Sequence, residues 1–208
     1  MTDCHSIKLQ NEAYLQKLGL DINPALPCIE SPEEANPRTA VDIAKNFVAL
    51  SYMIRVGHGY PIPKAYKRIH DLGLLHVLGS SSRRILETEA VSAQQKIDLT
   101  WQVEGAQVLA WALKLADLDH TRGCDDDLVS RLPAEGEETK FFEAATLRPL
   151  VEIQEQADLA YRMHWCAVSS RFSGNAGELN ESIVRERRRA LDWVYGVDED
   201  WDEIPLDT

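Results

Sequence analysis

Three polar side chains stand where apolar ones are expected: Glu104, His164 and Arg187. On a helical wheel of about 100° per residue, Glu104 falls inside the stripe Ile97, Trp101, Val108, Trp111 and Leu115. His164 lies near the middle of a sector holding Leu150, Ile153, Ala157, Ala160, Tyr161 and Val168. Arg187 is at the centre of Ile183, Val184, Ala190, Leu191 and Val194. A buried ionised group is strongly destabilising unless it is paired and hydrogen-bonded. The expectation is therefore that Glu104 contacts Arg187 or His164 inside the molecule. Beneath an open pocket, Glu104 could orient and charge His164 for general acid/base work, as a small hydrolase would use it. In a dry core the same set is an ion-pair network that fixes helix packing, because structural networks also perturb pKa values. Glu104, His164 and Arg187 are accordingly the candidate catalytic residues.

The stretch DLAYRMHWC, residues 158–166, concentrates further reactive side chains. Asp158 and Arg162 are four apart and outside the apolar sector, which predicts a local pair at the rim worth about 0.2–0.5 kcal/mol. Trp165 borders the core sector, and Cys166 points about 200° away from His164. Trp101, Asp158, Arg162, Trp165 and Asp207 are the candidate binding residues. Tryptophans at helical spacing (Trp101, Trp111, Trp165, Trp193) more often build a core than a ligand cage.

Other chemistries fit poorly. His120, Cys124, His164 and Cys166 cannot surround one zinc ion, since the last two face opposite sides of a helix. DLDHTRGCDDDL, from Asp117, has Arg122 where a calcium loop needs glycine and Leu128 where it needs an acid. No cofactor and no metal is expected. Phosphate-binding glycine motifs and a nucleophile elbow are absent from the sequence. RFSGNAGEL could offer backbone N–H groups to an anion, but a Gly/Ser/Asn turn between helices has the same composition. His58, between two glycines, reads as a solvent-facing turn residue. In RERRRA, Arg188 precedes Asp192 by four, which predicts a charged surface.

Helical punctuation dominates and strand alternation is scarce. A first helix is expected from about Ser6 to Leu18, followed by a connector holding Pro24, Pro27, Pro32 and Pro37. Thr39 opens a helix to about Arg55, and Pro63 starts a short one ending at Gly73. GSSS (79–82) can cap another. Ser92 with Gln95 reads as a capping box for a long helix to about Ala116. Residues 117–145 look irregular and acidic, docked by Phe141 and Phe142. Pro149 sits in the first turn of a second long helix to about Arg171. A last helix runs from about Glu178 to Tyr195 and is stopped by Gly196. The acidic tail, with Trp201, Ile204 and Leu206, reads as a strap on the body.

The 208 residues carry a formal charge of −12. Residues 117–143 hold nine acids against three bases, and residues 192–208 hold seven acids and no base. This excludes nonspecific nucleic-acid binding, which needs a net-basic footprint, and is compatible with a basic protein partner. No apolar run approaches the roughly 18–20 residues of a membrane span. With no secretory signal and scattered cysteines (Cys4, Cys28, Cys124, Cys166), a reduced cytoplasmic protein is expected.

WQVEGAQVLAWAL (101–113), DLAYRMHW (158–165), RERRRALDWV (185–194) and WDEIPLDT (201–208), with YMIRVGHGYP (52–61) more weakly, carry a resemblance. The chain resembles the mainly bacterial domain-of-unknown-function family number 4272 from about Arg38 onward. The resemblance implies a helical cytosolic domain and brings no catalytic role with it. It places emphasis on Glu104, Asp158, Arg162, His164, Arg187 and Asp207–Thr208. A motif at the terminus implies a docked end, with Asp207 accepting backbone or arginine hydrogen bonds.

The expected architecture is all-α: one irregular bundle of about seven helices, with an acidic loop and an ordered acidic strap. Residues 1–37 would be a helix and Pro-rich connector packed on a helical domain, 38–208. The expected function is that of a cytosolic binding protein, regulatory or immunity-like, whose acidic loop and tail meet the partner. A small enzyme using Glu104 and His164 is the alternative.

Overall fold

The computed structural model describes residues 3–173, 179–197 and 200–207. Those residues form eight α-helices and no strand. They are α1 (Cys4–Lys17), α2 (Ala40–Gly57), α3 (Ile62–Asp71), α4 (Ser80–Thr88), α5 (Ala93–Ala112), α6 (Glu138–Ala144), α7 (Leu150–Phe172) and α8 (Glu181–Tyr195). The long helices form a row in which each packs on the next: α2 on α5, α5 on α8, α8 on α7, and α7 on α1. Helices α3 and α4 pack together at the α2 edge of this row.

Local chemistry sets the helix ends. Ser92 and Gln95 exchange both bonds of a capping box at the start of α5, satisfying two otherwise orphaned N–H groups. Thr39 Oγ1 caps α2 by accepting from the Asp42 amide. Helix α8 ends at Gly196, whose φ of +91° suits glycine, and a Cβ there would lie 2.0 Å from the Asn36 carbonyl oxygen. The RFSGNAGEL turn falls largely outside the described residues.

Several expectations need correction. Helix α5 stops at Ala112, where Arg148 takes over its C-terminus: the Arg148 amide donates to Ala112 O and its Nε to Trp111 O. Ile97 is exposed, because the first turns of α5 present only Leu99 to the core. The 117–145 segment is not wholly irregular. It holds a short 3-10 turn, Leu128–Arg131, and helix α6, whose Phe141 packs on Phe47. GSSS does not cap α4 with its own side chains. Asp200 and Asp202 of the strap accept from the Ser80 and Ser81 amides at 3.1 and 2.7 Å, placing carboxylates at the positive end of the helix. The strap itself lies on the body as expected: Trp201 and Ile204 are buried in the main core with Trp193 and Leu191.

Candidate functional site

The polar residues singled out in the sequence do not form one centre. They form three, each built around a buried arginine of α7 or α8 that ties an irregular segment to the helices.

Arg187, 1% exposed, meets Glu104 across the α5–α8 contact, with Nη2 and Nε 2.8 and 3.0 Å from Oε2. Its remaining donors reach the acidic loop, Nη1 to Asp119 O at 2.7 Å and Nη2 to Arg122 O at 2.8 Å. The other oxygen of Glu104 accepts from the Cys124 amide. Gln107 repeats the pattern one turn on, bonding Asp117 O and both the amide and carboxylate of Asp125. His120 adds a bond to Gln156 of α7, and burial pushes its imidazole down to about 4. It is neutral at pH 7 and serves as an anchor.

Asp158 and Arg162 pair as predicted, but not at a rim: they are 1% and 2% exposed. Helix α7 is covered on this side by α1 and the Pro-rich connector, which a wheel of α7 alone cannot show. Arg162 makes a two-pronged contact with Asp158 at 2.8 and 2.7 Å, reaches Glu12 of α1 at 3.2 Å, and donates to Pro27 O at 3.0 Å. Asn11 completes the Asp158 carboxylate. Cys166 faces the same seam, its Sγ near Asp21 O, and burial raises its thiol to about 11, so it is an inert packing group.

His164 belongs to the third centre, away from Glu104 and Arg187. Its Nδ1 accepts from Arg188 Nη1 at 2.8 Å. The wheel placed His164 facing inward correctly; it could not tell which of two adjacent arginines on α8 would face it. Arg188 is buried, not part of a charged surface. Its Nε pairs with Asp192 at 3.2 Å, its other donors hold Asp207 O and Pro205 O, and it stacks over Tyr161. The end of the strap is thus docked, and Asp207 accepts from an arginine as expected, through its backbone carbonyl. Burial, and then Arg188, Arg185 and Arg171, push His164 down to about 4. Burial raises Asp192 to about 6 against the pull of Arg188.

The third centre borders open space, a cleft of about 360 Å³ lined by Cys28, Tyr161, Arg188, Asp192 and Tyr195 among others. Among the described residues, neither Glu104 nor His164 lines this cleft or the cavities of about 320, 360 and 540 Å³ elsewhere on the molecule. Trp101 and Trp165 are half-buried, with Trp165 packed against the small core cluster that holds Leu15, Leu159, Met163 and Val184. Among the described residues no group of three or more His, Cys, Asp or Glu side chains is arranged to hold a metal ion, and no helix is long and apolar enough to cross a membrane. The sequence does not reveal the connector carbonyl of Pro27 or the strap carbonyl of Pro205 as arginine partners, because backbone carbonyls have no residue signature.

The fold and its centres define an all-helical domain whose buried arginines clamp its irregular segments. The model of a family described as a domain of unknown function (DUF4272) matches residues 7–204, and the chain belongs to that family. The match takes in α1 and the connector, beyond the resemblance from Arg38, and the Arg162 centre shows why: Glu12 and Pro27 are partners of α7. Comparison with curated proteins and with solved structures finds no match.

Proposed function

We propose that this is a cytoplasmic binding protein that presents its acidic loop, residues 117–131, to a basic protein partner. The observation that supports it is the Glu104–Arg187 clamp. That clamp spends its buried charges on the backbone of the loop at Asp119, Arg122 and Cys124. A loop held at three backbone positions offers its acids as a fixed pattern, and preorganisation lowers the entropy cost of binding. Asp126 and Asp127 are exposed on it, and Val129 is 77% exposed beside an apolar groove formed by Phe47, Ile54 and Val103. The strap is a poorer contact surface than its charge implies, since Asp200 and Asp202 are engaged at α4. Acid/base chemistry between Glu104 and His164 lacks geometric support, because each is committed to a different arginine.

The test is affinity capture at low ionic strength with the wild type and an Asp126→Lys/Asp127→Lys variant side by side. The reading expects a basic protein retained by the wild type, weakened by salt, and lost with the variant. Equal recovery on both, or retention of a small metabolite alone, contradicts it.

A further inference from the structure

Five residues in the family-like motifs take no part in the clamps: Gln102, Arg185, Glu186, Arg189 and Asp202. All five line one pocket of about 320 Å³ between α4, α5, α8 and the strap. Its size is at the small end of the roughly 300–1,000 Å³ common for ligand sites. Its two guanidiniums and three carboxylates are already engaged with other protein groups. Glu186 accepts from Arg185 and Arg189, Asp98 accepts from Gln94, and Asp202 caps α4.

Two polar atoms in the same lining residues are unmatched. Gln102 is 8% exposed and its Oε1 has no hydrogen-bond partner; the buried Nε of Arg189 has none either. Leaving a buried acceptor and a buried donor unpaired costs about 1–3 kcal/mol each, so native structures seldom tolerate it without cause. A charged ligand of either sign meets like-charged groups among these partnered carboxylates and guanidiniums. A hydroxyl both donates and accepts, and can serve the carboxamide and the guanidinium alike. Ser82 also lines the pocket, and Ile85 and Leu99 supply an apolar patch against which the C–H face of such a ligand can rest.

We infer that this pocket binds a small uncharged polyhydroxyl compound, of the sugar or cyclic-polyol kind. The site shares no residue with the acidic loop, so it stands or falls apart from the partner-binding reading.

The experiment is NMR titration of the full-length, isotope-labelled chain with myo-inositol and glucose as neutral probes, and with phosphate and putrescine as charged ones. The neutral probes are expected to move resonances of Ser82, Gln102 and Arg189, and the charged ones are not. Gln102→Leu, close in volume, should weaken the response roughly tenfold; Ser82→Ala serves if that variant folds poorly. Unmoved resonances with both neutral probes at tens of millimolar, a stronger response to phosphate or putrescine, or an unchanged response in both variants would overturn the assignment.

Discussion

Arg187 and Arg188 are neighbours in sequence and both are buried, yet they sit in different media. Arg187 is enclosed by Glu104 and loop carbonyls, and it lines neither the cleft beside Arg188 nor the pocket between α4, α5 and α8. Arg188 faces an open cleft on one side, and its partners are two groups shifted in opposite senses, His164 down to about 4 and Asp192 up to about 6. The same guanidinium chemistry therefore gives a rigid anchor in one place and a pH-responsive one in the other. What separates them is access to water: a severed contact at Arg188 can be rehydrated, whereas one at Arg187 leaves a charge stranded.

The largest effect expected from that contrast is at the dry clamp. Glu104→Ala leaves Arg187 buried without its carboxylate and should cost about 3–5 kcal/mol in denaturant unfolding. Arg188→Met should cost less, about 1–3 kcal/mol, since the cleft lets water reach Asp192 and the strap at Pro205 and Asp207 and Trp201 still holds the strap by packing. Equal losses at the two positions would break the comparison. Gly105→Ala probes the strap from beneath: the new Cβ would sit 2.9 Å from the Trp201 ring, and a rigid ring must shift, at a cost of about 1–3 kcal/mol by thermal unfolding.

Titration sharpens the contrast further. The folded protein holds a proton on Asp192 to about pH 6, whereas the unfolded chain releases it near 4. Stability from this group is complete below about pH 4 and is lost as pH rises through 6. For His164 the folded value is about 4 and the unfolded one about 6.5. Its contribution is complete above about 6.5 and is lost as pH falls through 4. The two slopes oppose each other in the wild type. Relative to it, Asp192→Asn should make stability rise more steeply with pH between about 4 and 6, and His164→Gln should make it fall. Unfolding curves of both variants superposing on the wild-type pH profile would count against the strap centre as described. The smallest effect belongs to the exposed loop: Asp126→Lys should change stability by no more than about 0.5 kcal/mol while altering partner capture.

Much of this was legible in the sequence, and the limits are physical. Caps and stops are local, so Ser92 with Gln95 and Gly196 announced the ends of α5 and α8. Periodicity located the buried polar residues and the Glu104–Arg187 pair. It failed where a helix is buried on more than one side. Helix α7 lies between α1 and α8, so Asp158 and Arg162, off the apolar sector, are as buried as the residues on it. It failed again where the partner is a remote backbone carbonyl or, as at α4, a carboxylate 121 positions away.

The central claim is that buried arginines, through their carboxylate partners, hold the irregular segments in place. Hydrogen exchange at the Cys124 amide tests it most directly, since that N–H donates to Glu104 in the loop while core amides such as those of α5 and α8 report global opening. The wild type should protect Cys124 well above an unstructured loop, and Glu104→Gln should abolish much of that protection while the core amides retain theirs. A Cys124 amide that exchanges freely in the wild type, or is equally protected in the variant, would contradict the account.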